Sequence, residues 1–294
     1  MKLDELTLAA TQHLNRKDHE NQQLVRPIQS LSVFRQNAPS SFEAAIYEPI
    51  MILILQGRKE MVMGGVTYPM RVGECLLVSH DLPVEARVTK APYLALLFDL
   101  DLGTLRDLHE AMADMPARVA EPRSLTVSAC DPKVLDAVSR YLALAGDGGD
   151  ARVLGPLVAR EIHYRLATTR MGAMLRDLVR PDSHASSITR ATAQLRKDFR
   201  LPVEIAKLAR GVGMSTSAFH KHFKAITASS PLQYRKGLQL LEAQRLLRRG
   251  SHSVTQAAFD VGYESAAQFS RDYARKFGAS PKHDLPQPRE PSRA

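Results

Sequence analysis

The sequence predicts an α+β multidomain protein: an antiparallel β unit, then a helical segment, then an all-α unit with two helix-turn-helix motifs. Short apolar runs separated by turn signals fill residues 28–100. Amphipathic stripes follow, to about residue 179. A pattern of about twenty residues then occurs twice, about 50 residues apart. A length of 294 residues accommodates two domains.

Residues 1–25 are polar and read as a short helix or arm. The runs Met51–Leu55, Glu60–Met63, Val66–Met70, Cys75–Val78, Val84–Val88 and Tyr93–Phe98 read as separate short strands of a small antiparallel barrel or sandwich. Gly64-Gly65 between two runs is a hairpin signal. Leu105, Leu108, Met112 and Met115 make a first helical stripe. Asp131-Pro132 opens a second helix carrying Leu135, Val138 and Leu142, and 146–150 reads as a turn. Val153, Leu154, Leu157, Ile162 and Leu166 form a third stripe despite Pro156. The polar, breaker-rich segment 180–187 reads as a linker, dividing the chain into domains 1–179 and 188–294.

The repeated units are Ile205–Phe223 and Val254–Tyr273. Ala209 and Ala258 let two helices cross closely. Gly213 and Gly262 end the first helix of each unit where the backbone turns left-handed. Ser215 and Ser265 are N-caps for the helix that follows. Phe219 with Phe223, and Phe269 with Tyr273, stand at i and i+4 and face inward. Ser217, His220, Lys221 and Lys224 then face outward in the first unit, and Ala267, Ser270, Arg271 and Ala274 in the second. Such a helix suits the major groove of double-stranded DNA.

The connecting helix opens at Pro231, with Leu232, Leu238, Leu241 and Leu246 as a rough apolar stripe. Arg235, Lys236, Arg245, Arg248 and Arg249 decorate it. Roughly 18 residues span about 27 Å, near the ~34 Å between successive major grooves on one side of the duplex. Charge agrees: residues 181–294 hold 19 basic and 9 acidic side chains, residues 1–180 hold 21 and 22.

Other function classes find little support. No apolar run reaches 18 residues, and the N-terminus lacks the form of a signal peptide. Two cysteines suit a reducing cytoplasm, the expected location. No P-loop, Gly-x-Ser-x-Gly, His-Glu-x-x-His or Cys-x-x-Cys is present. His220 and His222 have metal-pair spacing, but i and i+2 diverge on a helix. No cofactor, metal or catalytic residue is expected.

Ala-x-x-Val-Gly-Met-Ser, Phe-x-x-x-Phe-Lys, Ser-Pro-x-x-Tyr-Arg and Val-Gly-Tyr-Glu-Ser resemble the signature of the AraC/XylS family of bacterial transcription regulators, over about 187–281. Ser79-His80-Asp81-Leu82-Pro83-Val84 and Pro92-Tyr93-Leu94-Ala95-Leu96 resemble one branch of that family with a cupin-type sensor domain. The resemblance implies a cupin-like barrel, a helical dimerisation segment and a homodimer. It further implies a small-molecule effector and activation through RNA polymerase. Base contacts carried over by position are Ser217, His220 and Lys221 in the first unit. In the second they are Ala266, Ala267, Ser270 and Arg271. Ser215, Lys224 and Arg275 complete the expected DNA-binding set. Two departures stand out. The second repeat ends Ser280-Pro281-Lys282-His283-Asp284-Leu285 rather than Ser-Pro-x-x-Tyr-Arg, and Asp272 places negative charge on the second recognition helix.

Alternatives stay open at this level. The amphipathic helices serve a dimer seam or cover the barrel. The chain could instead be a cupin metalloenzyme with a vestigial DNA-binding tail, although His80 is the only histidine between Ile28 and Leu100. It could also be a DNA-binding protein without a ligand. Tyr47, Cys75, His80 and Arg87 are candidate effector-binding residues, with Tyr68 beside them. Cys75 is either a small core residue or a sensor thiol.

Overall fold

The computed structural model describes residues 3–16, 22–112 and 124–285. Helix α1 (Leu3–Leu14) buries Leu6, Ala10 and Leu14. Eight strands follow: β1 (Leu24–Ile28), β2 (Leu31–Gln36), β3 (Glu43–Tyr47), β4 (Ile50–Met63), β5 (Val66–Met70), β6 (Glu74–Val78), β7 (Leu82–Asp99) and, after helix α2 (Leu102–Ala111), β8 (Leu125–Ala129). They pair antiparallel in the order β1-β2-β7-β4-β6-β8, with β3 on β7 and β5 on β4. The predicted antiparallel unit is therefore one rolled sheet, and among the described residues its pairing does not close into a ring. Met115, expected in the first helical stripe, lies outside the described residues.

Four of the expected short strands are halves of two long ones. Met51–Leu55 and Glu60–Met63 both belong to β4, and Val84–Val88 and Tyr93–Phe98 to β7. The Gln56-Gly57 step is a bulge, not a turn. The β4–β7 register shifts between Ile54 and Lys59. Gly57 has φ +78°, and a Cβ there would lie 2.4 Å from the Lys90 carbonyl oxygen and 2.7 Å from that of Pro92. Only glycine fits this backbone crossing.

The bulge also exchanges the faces of both strands. Ile52 and Ile54, then Met61 and Met63, line the inside of the rolled sheet with Val84, Ala86, Val88, Tyr93 and Ala95. Met51, Leu53 and Leu55 face the helices with Leu94, Leu96 and Phe98. Inward positions are even-numbered before the crossing on β4 and odd-numbered after it. Without the bulge, alternation would hold throughout.

Helices α3 (Pro132–Ala143), α4 (Gly148–Val153), α5 (Gly155–Thr168) and α6 (Ala173–Val179) complete the first half. Asp131 caps α3, as expected, accepting from the Lys133 N–H at 2.8 Å. Two readings need correction. The 146–150 turn is shorter, because Asp147 accepts from Gly149 and Asp150 and starts α4. Pro156 stands in the first turn of α5, so it opens a helix rather than interrupting one. The third stripe consequently splits: Ile162 and Leu166 are buried, whereas Val153 and Leu157 are 63% and 64% exposed.

The second half holds α7 (His184–Lys197), α8 (Ile205–Gly211), α9 (Thr216–Thr227), α10 (Pro231–Arg248), α11 (Val254–Asp260) and α12 (Ala266–Phe277). The expected linker 180–187 is narrower than predicted. Ser183 accepts from the Ser186 N–H at 2.9 Å, so helix α7 begins inside that segment at His184. No helix among the described residues is long and apolar enough to cross a membrane.

Candidate nucleic-acid interface and effector site

Both units fold as their local sequence dictates. Gly213 and Gly262 have φ +74° and +88°. Ser215 caps α9 through the Ala218 N–H, and Ser265 caps α12 through the Gln268 N–H. Phe219, Phe223, Phe269 and Tyr273 are fully buried, each pair in ring contact with centroids 5.3 and 5.4 Å apart. Ala209 and Ala258 are buried at the helix crossings.

The outward faces differ. On α9, Ser215, Ser217, His220, Lys221 and Lys224 are all exposed, and neither lysine makes an ion pair among the described residues. On α12, Ala267, Arg271 and Arg275 are exposed, while Ala266 and Ser270 are half-buried. The Ser270 hydroxyl donates to the Ala266 carbonyl at 2.9 Å, and Arg271 donates to Gln268 at 3.0 Å. His222, second of the spaced histidine pair, stacks on His184 with centroids 3.7 Å apart.

The negative charge that Asp272 brings to the second recognition helix is turned away from its exposed face. Its side chain is 2% exposed and accepts from Lys236 at 2.9 Å, Gln268 at 3.2 Å and Tyr263 at 3.3 Å. Arg275 pairs with its other oxygen. Burial opposes ionisation, but Lys236 and Gln268 outweigh it and hold the carboxyl below the usual range. An i+3 spacing from Phe269 puts residue 272 on the core side.

Four of the five basic side chains expected along α10 are likewise turned inward or paired, and Arg249, at its C-cap, is exposed. Arg235 donates to the Phe199 carbonyl at 2.8 Å, Lys236 holds Asp272, Arg245 holds Glu242 and Arg248 holds Asp284 at 3.1 Å. The expected stripe is also displaced. Leu232 is exposed, whereas Tyr234, Leu238, Leu240, Ala243 and Leu247 are buried. Asp284, at the tyrosine position of the altered second ending, accepts from Tyr273 at 2.5 Å and Gln244 at 3.0 Å.

The four expected effector residues do not converge. Tyr47 faces the inside of the rolled sheet. Cys75 alternates with inward-facing Leu76, so it faces the helices, 1% exposed. A contact with the Cys130 thiol, followed by burial, pushes the Cys75 thiol well up. That favours the core reading over a sensor thiol. Arg87 lies between inward-facing Ala86 and Val88 and so points outward. It makes a forked bond to Glu60 at 2.9 and 3.1 Å and stacks on Phe42. Tyr68 packs at the edge of the inner core.

His80 lies at a seam between the two halves. Its Nδ1 meets the Ser79 hydroxyl at 2.8 Å, and its Nε2 meets the Ala185 carbonyl at 3.2 Å. Burial brings its pKa down to about 4, so the ring is neutral. Beside it Tyr234 donates to the Asp81 carbonyl at 2.8 Å, and Arg196 reaches Asp81 at 3.1 Å and Glu48. Ser124 donates to the Ile226 carbonyl, and the Gly64 turn abuts Ala228 at the end of α9. The first unit is thus docked on the sheet through α7, α9 and α10.

Sequence reasoning missed Lys59, Tyr93 and Phe34, which meet Tyr47 inside the sheet. Lys59 Nζ donates to the Tyr47 hydroxyl at 2.7 Å. Parity counted from Met51 puts Lys59 on the helix-facing side; the bulge reverses it. Among the described residues no group of three or more His, Cys, Asp or Glu side chains is placed to hold a metal ion.

Residues 27–174 match the model of the AraC-type transcriptional regulator N-terminus, and residues 208–285 match that of a helix-turn-helix domain. The virulence regulon transcriptional activator VirF of Yersinia enterocolitica is 22% identical over 237 residues, covering 79% of this chain and 86% of that one. The HTH-type transcriptional activator RhaS of Salmonella paratyphi B is 31% identical over 163 residues, 53% of this chain and 56% of its own. Among solved structures, ToxT from Vibrio cholerae has the same two-part fold, with a TM-score of 0.58 at 10% identity over 87% of this chain and 96% of that one.

Proposed function

This chain belongs to the AraC-type transcriptional regulators, and we propose how its parts divide the work. It is a sequence-specific DNA-binding regulator of transcription. The recognition helices are α9 and α12, with a domain boundary in the 180–183 turn. Ser217, His220, Lys221 and Lys224 read bases and nearby phosphates in one major groove, with Ser215 at the helix start. Ala266, Ala267 and Ser270 pack against the next groove, where Arg271 and Arg275 neutralise phosphate. The observation that carries this is the repeated geometry: two capped helices with buried aromatic pairs, joined by an 18-residue helix.

The inside of the rolled sheet binds a small-molecule effector, as ToxT has been solved with an unsaturated fatty acid bound. Ligand there shifts the docking of the first unit on the sheet, and so its presentation to DNA. Two copies pair through the exposed strip Val153, Leu157 and Tyr164 on α4 and α5; the other side of α5 buries Ile162, His163 and Leu166. The regulator acts in the cytoplasm and contacts RNA polymerase as an activator, the activity named for VirF and RhaS. No catalytic role is assigned, because His80 is committed to Ser79 and Ala185.

Footprinting on DNA flanking the protein's own coding region tests this reading. Each protomer should protect two major-groove faces about one helical turn apart. Protection of one groove, or none above the non-specific background, would overturn it.

A further inference from the structure

Lys59 carries a charge that its surroundings leave open. Its Nζ lies 5.5 Å from the Tyr47 ring centroid, 5.8 Å from Tyr93 and 5.9 Å from Phe34. An ammonium has three N–H donors, and the Tyr47 hydroxyl takes one. No carboxylate lies within ion-pair distance of it among the described residues; the neighbouring Glu60 points outward to Arg87. The Tyr93 side chain is 1% exposed, and its hydroxyl has no hydrogen-bond partner. A buried phenol without a partner is costly and uncommon in native cores. Phe34 meets Tyr93 edge to face at 6.0 Å. Beyond these rings the wall is apolar: Met61, Val84 and Ala95.

One ligand class satisfies both unfilled groups. We propose that the inside of the rolled sheet binds a monocarboxylic acid with an apolar body, its carboxylate held by Lys59 and the Tyr93 hydroxyl. The acid places one oxygen on the free Lys59 protons and the other on Tyr93. Its apolar body lies against Phe34 and Tyr47. A carboxylate accepts through two oxygens, and a charged hydrogen bond is the stronger kind. The inference rests on the effector reading above and names the chemistry of that site.

Calorimetric titration of the full chain with 3-phenylpropanoate, decanoate, the two matching primary amides and inorganic phosphate tests it. At least one acid should bind, and its amide should bind about tenfold more weakly or worse. Lys59→Met should lose about tenfold or more, and the isosteric Tyr93→Phe about threefold. Phosphate should not compete. Circular dichroism and a cooperative thermal transition would certify that both variants fold. Equal binding of acid and amide, unchanged binding by Lys59→Met, displacement by phosphate, or no binding by either acid would each overturn the proposal. The footprint separates this inference from the broader one. An acid that binds through Lys59 yet leaves the footprint unaltered keeps the site and removes the effector reading. A neutral metabolite that alters the footprint of Lys59→Met keeps the effector reading and removes the acid.

Discussion

The two helix-turn-helix units share a frame and use it differently. In the first, α9 presents a histidine and two lysines that make no ion pair among the described residues, and its base is docked on the sheet through Ile226 and Ala228. In the second, α12 turns a carboxylate inward, and its cations partly serve that carboxylate. Its N-terminal turn offers methyl groups. The second unit meets the sheet through the Lys276–Glu85 pair at 3.8 Å. A repeat therefore conserves the buried side of a motif while its exposed side and attachments diverge. Packing constrains the first, and partners constrain the second.

Four measurements bear on that contrast. Asp272→Ala should break the second unit first. It leaves Lys236, Tyr263 and Gln268 without their common acceptor, and stability should fall by about 3 kcal/mol, read as a lower urea midpoint. The footprint should shrink to the groove held by α9. An unchanged midpoint would mean that the carboxylate is dispensable.

Acid should loosen the first unit instead. The folded pKa of His80, about 4, lies below the ordinary 6.5, so the unfolded chain binds more protons between those values. Stability is fully present above about pH 6.5 and declines as pH falls toward 4, by about 2 kcal/mol at pH 5. Burial also lowers the pKa of His163, which adds in the same direction. His80→Asn should flatten the decline and Asp272→Ala should not. Hydrogen exchange in α7 and α9 at pH 8 and pH 5 checks where the loosening begins.

Lys221→Ala should weaken promoter binding by about 2 kcal/mol and relax specificity at one base pair. A uniform loss on all sequences would reassign Lys221 to phosphate. Arg271→Ala should give the smallest change, a uniform loss of no more than about 1 kcal/mol. The salt slope should fall by about 1, measured by titration from low to physiological salt.

The α-helical half was legible because its signals are local. Ser215, Ser265, Gly213, Gly262 and the aromatic i, i+4 pairs act within one or two helical turns. The charges were not so legible. Arg235 and Arg248 read as decoration of the connecting helix and Asp272 as a charge on the second recognition helix, yet each finds a partner at least 36 positions away in sequence. Counting basic residues cannot distinguish a cation that waits for phosphate from one already paired.

The residues alone settled the order of units, the double motif and the inward aromatic sets, because helix period, capping and chain reversal depend on near neighbours. Tertiary structure decided which side chains meet inside the rolled sheet, where the effector site is proposed. A crossing at Gly57 inverts which side of β4 and β7 faces inward, bringing Lys59 and Tyr93 to Tyr47 and leaving Arg87 outside. Strand parity is a local rule, and one close approach of backbones remote in sequence reverses its outcome.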